Sequence, residues 1–204
     1  ACNGRGHVSP NPMVGAVIVS PDGRIIGEGW HMRFGGPHAE VNAINSVAEA
    51  DAALLPQSTI YVTLEPCSHY GKTPPCARLL IEKQIGRVVV GSGDPNPKVA
   101  GRGIAMLRQA GITVEEHCLE EECVGINRMF MTAHTLHRPF VTLKWACSAD
   151  GYMDVRRVPG APSFRFSKAR GIQTVHWRRA VHDAIAVGAS TAIADDPGLD
   201  TRFF

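Results

Sequence analysis

Four residues have the types and positions for metal and proton chemistry: His38, Glu40, Cys67 and Cys76. His38 and Glu40 lie two apart in HAEVNAI, Cys67 follows Pro66, and Cys76 follows a Pro-Pro pair. Two thiolates and one imidazole form a borderline-soft donor set that suits zinc and leaves a fourth position for water. The thiolates neutralise a divalent ion, which fits a metal whose task is to ionise water. That chemistry needs a neighbour to take a proton and redeliver it to a leaving group. Glu40, in the same helical turn as His38, is the candidate shuttle. Hydrolytic deamination of an amidine-like carbon uses this combination: oxygen adds, a ring nitrogen is protonated and ammonia leaves.

Taken singly, each feature has a plainer explanation. A histidine near a helix start is usually structural, and two cysteines nine apart are by default buried thiols. The elements around them add weight. MVGAVIV (13–19), the turn SPDG and RIIGEGW read as a hairpin. PHAEVNAINSVAEA has helical spacing, with Pro37 suited to a helix start. STIYVTLEP (58–66) is a β-branched strand, CARLLIEKQI a helix, IGRVVVGSG (85–93) a strand, GRGIAMLRQAG a helix and ITVEEH a strand. The order predicts a three-layer α/β domain with two right-handed crossovers between parallel neighbours. It puts His38, Cys67 and Cys76 at strand–helix junctions on one rim of the sheet, where open α/β sheets bind ligands. Helix starts also favour thiolates. Spacing alone still leaves open a catalytic zinc site, a closed structural one and buried thiols. Cys118 and Cys123 are the only candidates for a fourth ligand.

Composition narrows the function classes. The 204 residues are 44% hydrophobic and 20% charged, with net charge +2, which offers no basic groove for nucleic acid. The cluster Arg156, Arg157, Arg165, Lys168 and Arg170 is expected to be a solvated face or a small anion site. No run of 18 apolar residues predicts a membrane span. The start, ACNGRGHVSPNP, has no apolar stretch of the signal-peptide kind and no initiator methionine, as in a fragment or processed chain. Six scattered cysteines point to reduced thiols and a cytoplasmic protein rather than a disulfide scaffold. EEECVGINRMFMTAHTL (120–136) reads as a linking helix whose Met129, Phe130 and Met131 pack. HRPF at 137–140 reads as a boundary, giving domains of 1–138 and 139–204.

HAE, then PC and a second cysteine, resembles the zinc nucleoside and nucleobase deaminase superfamily. The short P-C-x-x-C is replaced by LEPCSHYGKTPPC, with eight residues between the cysteines. Together with SPNPMVGAVIV before it and DPNPKVAGRG after it, this long form is similar to the deaminase domain of the bifunctional riboflavin-biosynthesis deaminase–reductases. The resemblance implies zinc on His38, Cys67 and Cys76, with Glu40 as proton shuttle. It implies a small-molecule phosphoribosyl-pyrimidine substrate, 2,5-diamino-6-(5-phosphoribosylamino)-4(3H)-pyrimidinone. Asn11 and Asn96 would line its pocket, and His69 and Lys72, in the insert, would suit its phosphate. The plainer alternative makes Asn11 and Asn96 turn residues beside prolines and Lys72 a solvated lysine. Rival functions are a zinc deaminase of another nucleobase or nucleoside, and a non-catalytic zinc-stabilised module.

After the boundary, VTLKWACSADG and RRAVHDAIAVGASTAIADDPGLDTR resemble the start of the family's reductase domain, a dihydrofolate-reductase-like α/β fold that uses NADPH. The resemblance implies substrate contacts at Ser163, Arg179, Leu199 and Arg202, and cofactor contacts at Ala149, Thr191 and Asp195. Lys144 and Asp150 are further polar candidates. Many relatives carry a tryptophan near position 165; Arg165 here suggests a contact to a cofactor phosphate instead. Two or three strands, one helix and a loop-like end are expected, as the incomplete start of a larger domain. The sequence leaves a homo-oligomer open.

Overall fold

The computed structural model describes residues 1–70, 74–97, 99–158 and 161–202. They form two compact units, 1–140 and 141–204.

In the first unit a hairpin, β1 (Gly15–Val19) and β2 (Ile25–Trp30), starts a five-stranded sheet. Ser20 closes its turn, donating to the Asp22 carboxylate and the Arg24 carbonyl. The chain then alternates α1 (Ala39–Asn45), β3 (Thr59–Leu64), α2 (Cys76–Glu82), β4 (Arg87–Ser92), α3 (Arg102–Gln109) and β5 (Thr113–Glu115). Strand order is β2-β1-β3-β4-β5; β1 runs antiparallel to both neighbours, while β3, β4 and β5 run parallel. Two helical crossovers join the parallel strands, as parallel pairing requires.

Strand alternation decides which face is the core. Ala16, Ile18, Ile60, Val62, Val88 and Val90 point to one face and are buried with Ala39, Ala43 and Ile44 of α1, Ala77 and Leu80 of α2, and Ile104 and Leu107 of α3. Each fully buried leucine there contributes roughly 1.5–3 kcal/mol. The opposite face receives α4 (Glu120–Ile126), whose buried Cys123 sits so close to Gly91 that a Cβ there would meet its Sγ at 2.3 Å. Helices on both faces make the three-layer α/β arrangement.

Two elements differ from expectation. The first helix stops at Asn45, because Ser46 donates to the Ala43 carbonyl and accepts from the Glu28 N–H of β2. A 3-10 segment (Glu49–Gln57) follows it. The linking helix breaks at Asn127 into α4 and α5 (Arg128–Leu136). Asn127 is buried and turns its amide onto the backbone of Met13. Met129, Phe130 and Met131 are half-buried, consistent with packing.

In the second unit the described residues form two helices, α6 (Ala169–Ala180) and α7 (Ala189–Asp195), and no strand. This corrects the expectation of two or three strands and a loop-like end. The alternation in VTLKWAC is real, yet Val141, Leu143 and Trp145 are 64%, 78% and 65% exposed. A strand exists only through pairing, and nothing among the described residues pairs with this segment. GASTAIADD is short and alanine-rich, and forms α7 instead.

Candidate metal centre

The centre is assembled where the core elements end. Pro37 leads into α1, and His38 is its extended N-cap residue, accepting from the Asn42 N–H through its carbonyl at 3.1 Å. The Asn42 amide donates to the Trp30 carbonyl at 2.8 Å and so anchors the helix start to β2. The helix lies unusually close to that strand: a Cβ at Gly29 would meet the Ala43 nitrogen at 2.4 Å. Cys67 lies just past β3, beyond the buried Glu65 and Pro66. Cys76 is the first residue of α2, and its N–H donates to the Cys67 sulfur at 3.3 Å.

The ligand atoms of His38, Cys67 and Cys76 all lie within 4.8 Å of one another, the one such cluster among the described residues. His38 Nδ1 is 3.6 Å from Cys67 Sγ and 3.3 Å from Cys76 Sγ. Zinc bonds of about 2.3 Å to sulfur and 2.0–2.1 Å to nitrogen give a tetrahedral nitrogen–sulfur edge of about 3.5 Å. The spacing and donor chemistry therefore fit a zinc-binding site. Cys118 and Cys123 belong to the α4 region and are not in the cluster.

The electrostatics favour the same reading. The Cys76 thiol, His38 and the Cys76 N–H draw the Cys67 thiol down to about 4, despite burial. Cys76 is pushed far up by the Cys67 thiolate and by burial, so the metal-free pair retains one proton. The neighbouring Cys67 sulfur raises His38. Glu40 is buried in the first turn of α1, and burial pushes its carboxyl up to about 7. A carboxyl that titrates near neutrality, beside three metal ligands, is equipped to take and return a proton.

One residue of this region escapes a reading of the sequence. His31 is buried at the end of β2; its Nδ1–H donates to the Pro37 carbonyl at 2.9 Å, so Nε2 accepts from the Asn11 amide at 3.1 Å. Its ring stands edge-on to His38 at 5.4 Å. Burial lowers its pKa, in keeping with the neutral form this relay needs. His31 thus joins Asn11 to the residue before the metal ligand.

The other expected site residues fall in two groups. Asn11 and Asn96 are half-buried, and Asn96 donates its N–H to the Asp94 carboxylate at 2.8 Å. His69 is exposed, and Lys72 lies outside the described residues. In the second unit Lys144, Ser163, Arg165, Arg179, Thr191, Asp195, Leu199 and Arg202 line one cavity of about 960 Å³. Ala149 and Asp150 are not among its lining; Asp150 accepts from the Ser148 hydroxyl in an exposed turn. Asp195 pairs with Arg157 at 2.9 Å, and Arg179 donates to the Gly198 and Asp200 carbonyls.

Known proteins share both units. Residues 2–92 match the cytidine and deoxycytidylate deaminase zinc-binding region, and residues 139–204 match the RibD C-terminal domain. The riboflavin biosynthesis protein RibD of Actinobacillus pleuropneumoniae is 45% identical over 99% of this chain and 52% of its own length. The Escherichia coli protein of that name is 41% identical over 100% of this chain and 53% of its own length. The crystal structure of a diaminohydroxyphosphoribosylaminopyrimidine deaminase/5-amino-6-(5-phosphoribosylamino)uracil reductase from Thermotoga maritima is 46% identical. It matches 97% of this chain and 54% of that one, with a TM-score of 0.87. Acinetobacter baumannii RibD matches with a TM-score of 0.88 at 42% identity, over 98% of this chain and 54% of that one. The chain spans about half the length of the curated relatives it matches. With a zinc-binding triad in the first unit and similarity to RibD through both, the chain is RibD-like, with a first unit of the zinc-deaminase type.

Proposed function

We propose that residues 1–138 catalyse the hydrolytic deamination of 2,5-diamino-6-(5-phosphoribosylamino)-4(3H)-pyrimidinone to 5-amino-6-(5-phosphoribosylamino)uracil. The observation that carries this is the convergence of His38, Cys67 and Cys76, with the carboxyl of Glu40 buried in the same helical turn. Zinc held by the three ligands would supply a Lewis acid that makes water a nucleophile near neutral pH. Glu40 takes the proton that water loses on attack at the carbon bearing the 2-amino group, then passes it to the adjacent ring nitrogen. A second transfer from water through Glu40 converts the amino group into departing ammonia, and the carbonyl forms in its place. Burial suits Glu40 to both tasks: it pushes the carboxyl up, to about 7 without metal, and so works against the lowering that a bound cation brings. Asn11, oriented by His31, and Asn96 would contact the pyrimidine. His69 and Lys72, from the segment between the two cysteines, would meet the phosphate.

Residues 139–204 would then open the reductase domain of a longer protein, which reduces the ribosyl group with NADPH. The cavity of the second unit is lined by four arginines: Arg157 is paired with Asp154 and Asp195, and Arg165, Arg179 and Arg202 are suited to phosphate groups. None of the six cysteines is in a disulfide, which suits a cytoplasmic enzyme.

The test is ammonia release from the phosphoribosyl diaminopyrimidinone, with and without a zinc chelator, followed by Glu40→Gln. The variant is expected to keep its zinc and lose turnover. Full turnover in Glu40→Gln would remove the shuttle role, and release unaffected by complete zinc removal would remove the metal mechanism.

A further inference from the structure

Glu65 is a buried carboxylate with no ion-pair partner among the described residues. It directly follows β3, immediately before Pro66 and Cys67, and is 3% exposed. Its partners are backbone N–H groups at the start of α3. Oε1 accepts from Gly103 at 2.9 Å and Ile104 at 3.3 Å, and Oε2 accepts from Gly101 at 2.9 Å and, more weakly, Asp94 at 3.5 Å. These N–H groups would otherwise lack partners at a helix N-terminus. Removing a negative charge from water is costly without such donors.

A second feature points to the same contact. A Cβ at Gly103 would meet the Pro66 carbonyl oxygen at 1.9 Å, so only glycine lets α3 approach the peptide that leads into Cys67. Gly101 has φ +80, which glycine adopts without strain. The G-R-G triplet and the E-P-C triplet are therefore complementary halves of one junction. On one side is the ligand Cys67; on the other is the loop 94–97, whose Asn96 is held by Asp94.

We infer that Glu65 is the positioning residue that locks the Cys67 loop to the start of α3, so that metal retention depends on a carboxylate outside the ligand set. Glu65 supplies neither a ligand nor a proton. It fixes the backbone from which Cys67 projects, and the same contact seats the neighbouring loop 94–97. The inference rests on the zinc-site reading above.

Because the junction and the metal are linked, the effect must run both ways. Hydrogen exchange on the full wild-type chain, zinc-loaded and metal-free, reads one direction. Exchange at the Gly101, Gly103 and Ile104 amides should accelerate on the order of tenfold when zinc is removed, while the Ile18 amide of β1 changes far less. The other direction is read by zinc release to a chromogenic chelator, well below the melting temperature. Glu65→Gln turns an NH₂ toward two of the donors, and Gly103→Ala strikes the same contact from α3. Each should release zinc on the order of tenfold faster than wild type, whereas Ile18→Val, a core change on β1, should not. Equal exchange at the three glycine-region amides with and without zinc would overturn the inference. So would wild-type zinc release from a folded Glu65→Gln or Gly103→Ala. Should the wild-type chain hold no zinc at all, it is the metal site that fails.

Discussion

The Asn127 side chain makes two hydrogen bonds to the backbone of Met13, 114 residues away: its oxygen accepts from the Met13 N–H at 2.8 Å and its amide donates to the Met13 carbonyl at 2.9 Å. The pairing imitates a neighbouring strand and extends the order of β1 toward the segment that carries Asn11. Asn127→Asp keeps the acceptor but replaces the donor with a charged oxygen facing a carbonyl, in a residue 3% exposed. The expected cost is about 1–3 kcal/mol, read by urea or thermal unfolding. A variant as stable as wild type would mean that the α4–α5 break, not this pairing, holds the segment.

Gly29 marks where α1 is pressed against β2. An alanine there would bring its Cβ to 2.4 Å from the Ala43 nitrogen and 2.7 Å from the Ala39 carbonyl oxygen, both backbone atoms of the helix that starts at His38. Backbone cannot rotate away as a side chain can. Gly29→Ala is expected to cost about 1–3 kcal/mol by overpacking. Because the displaced helix carries His38 and Glu40, zinc affinity should fall as well. Calorimetric titration of the folded variant with zinc checks this; unchanged affinity would show that the helix shifts as a unit without moving its first turn.

Both positions bear on what a reader of the sequence can see. The hairpin, the crossovers and the convergence of His38, Cys67 and Cys76 follow from local signals: alternation, turn residues, and prolines at element starts. The junctions place the ligands because chain direction decides which rim each strand end reaches. Other contributors act through contacts invisible to periodicity. His31 is a lone histidine ending a strand, Asn127 works across 114 residues, and Glu65 resembles any acidic residue beside a proline. The glycines flanking Arg102 were the available hint, since two glycines that close imply a tight backbone approach. In the second unit alternation misleads for the opposite reason: Leu143 and Trp145 have the pattern of a strand, but strand formation needs a partner.

Zinc loading should release protons. In the metal-free site Cys67 is drawn down to about 4 and is a thiolate at neutral pH, whereas Cys76 keeps its proton. Ligation requires that proton to leave. Titrations in buffers of different ionisation heats should therefore give about one proton per zinc at about pH 8. The number should rise as pH falls toward neutrality, because the raised His38 and Glu40 are then increasingly protonated, His38 must deprotonate to ligate, and the cation draws the Glu40 proton off as well. No release near pH 8 would mean that Cys76 is not bound as a thiolate.

Glu40 gives the metal-free protein a pH dependence of definite sign. Its carboxyl stands at about 7 in the folded chain, above the ordinary 4.5, chiefly because burial disfavours the charge. The folded state thus binds this proton more tightly than the unfolded state. Its contribution to stability is fully present below about 4.5 and is lost as pH rises through about 7. Glutamine at this position has nearly the same shape and cannot ionise. Metal-free Glu40→Gln should therefore gain stability relative to metal-free wild type as pH rises across that interval, with the difference levelling off above it. Zinc reverses the advantage, because a nearby cation favours the carboxylate and draws its pKa down. Paired thermal melts across this range, with and without zinc, check both halves. A wild-type-minus-variant difference that stays flat with pH in the metal-free protein would show that Glu40 does not titrate there, and would remove the basis for its acting as a neutral-pH proton carrier.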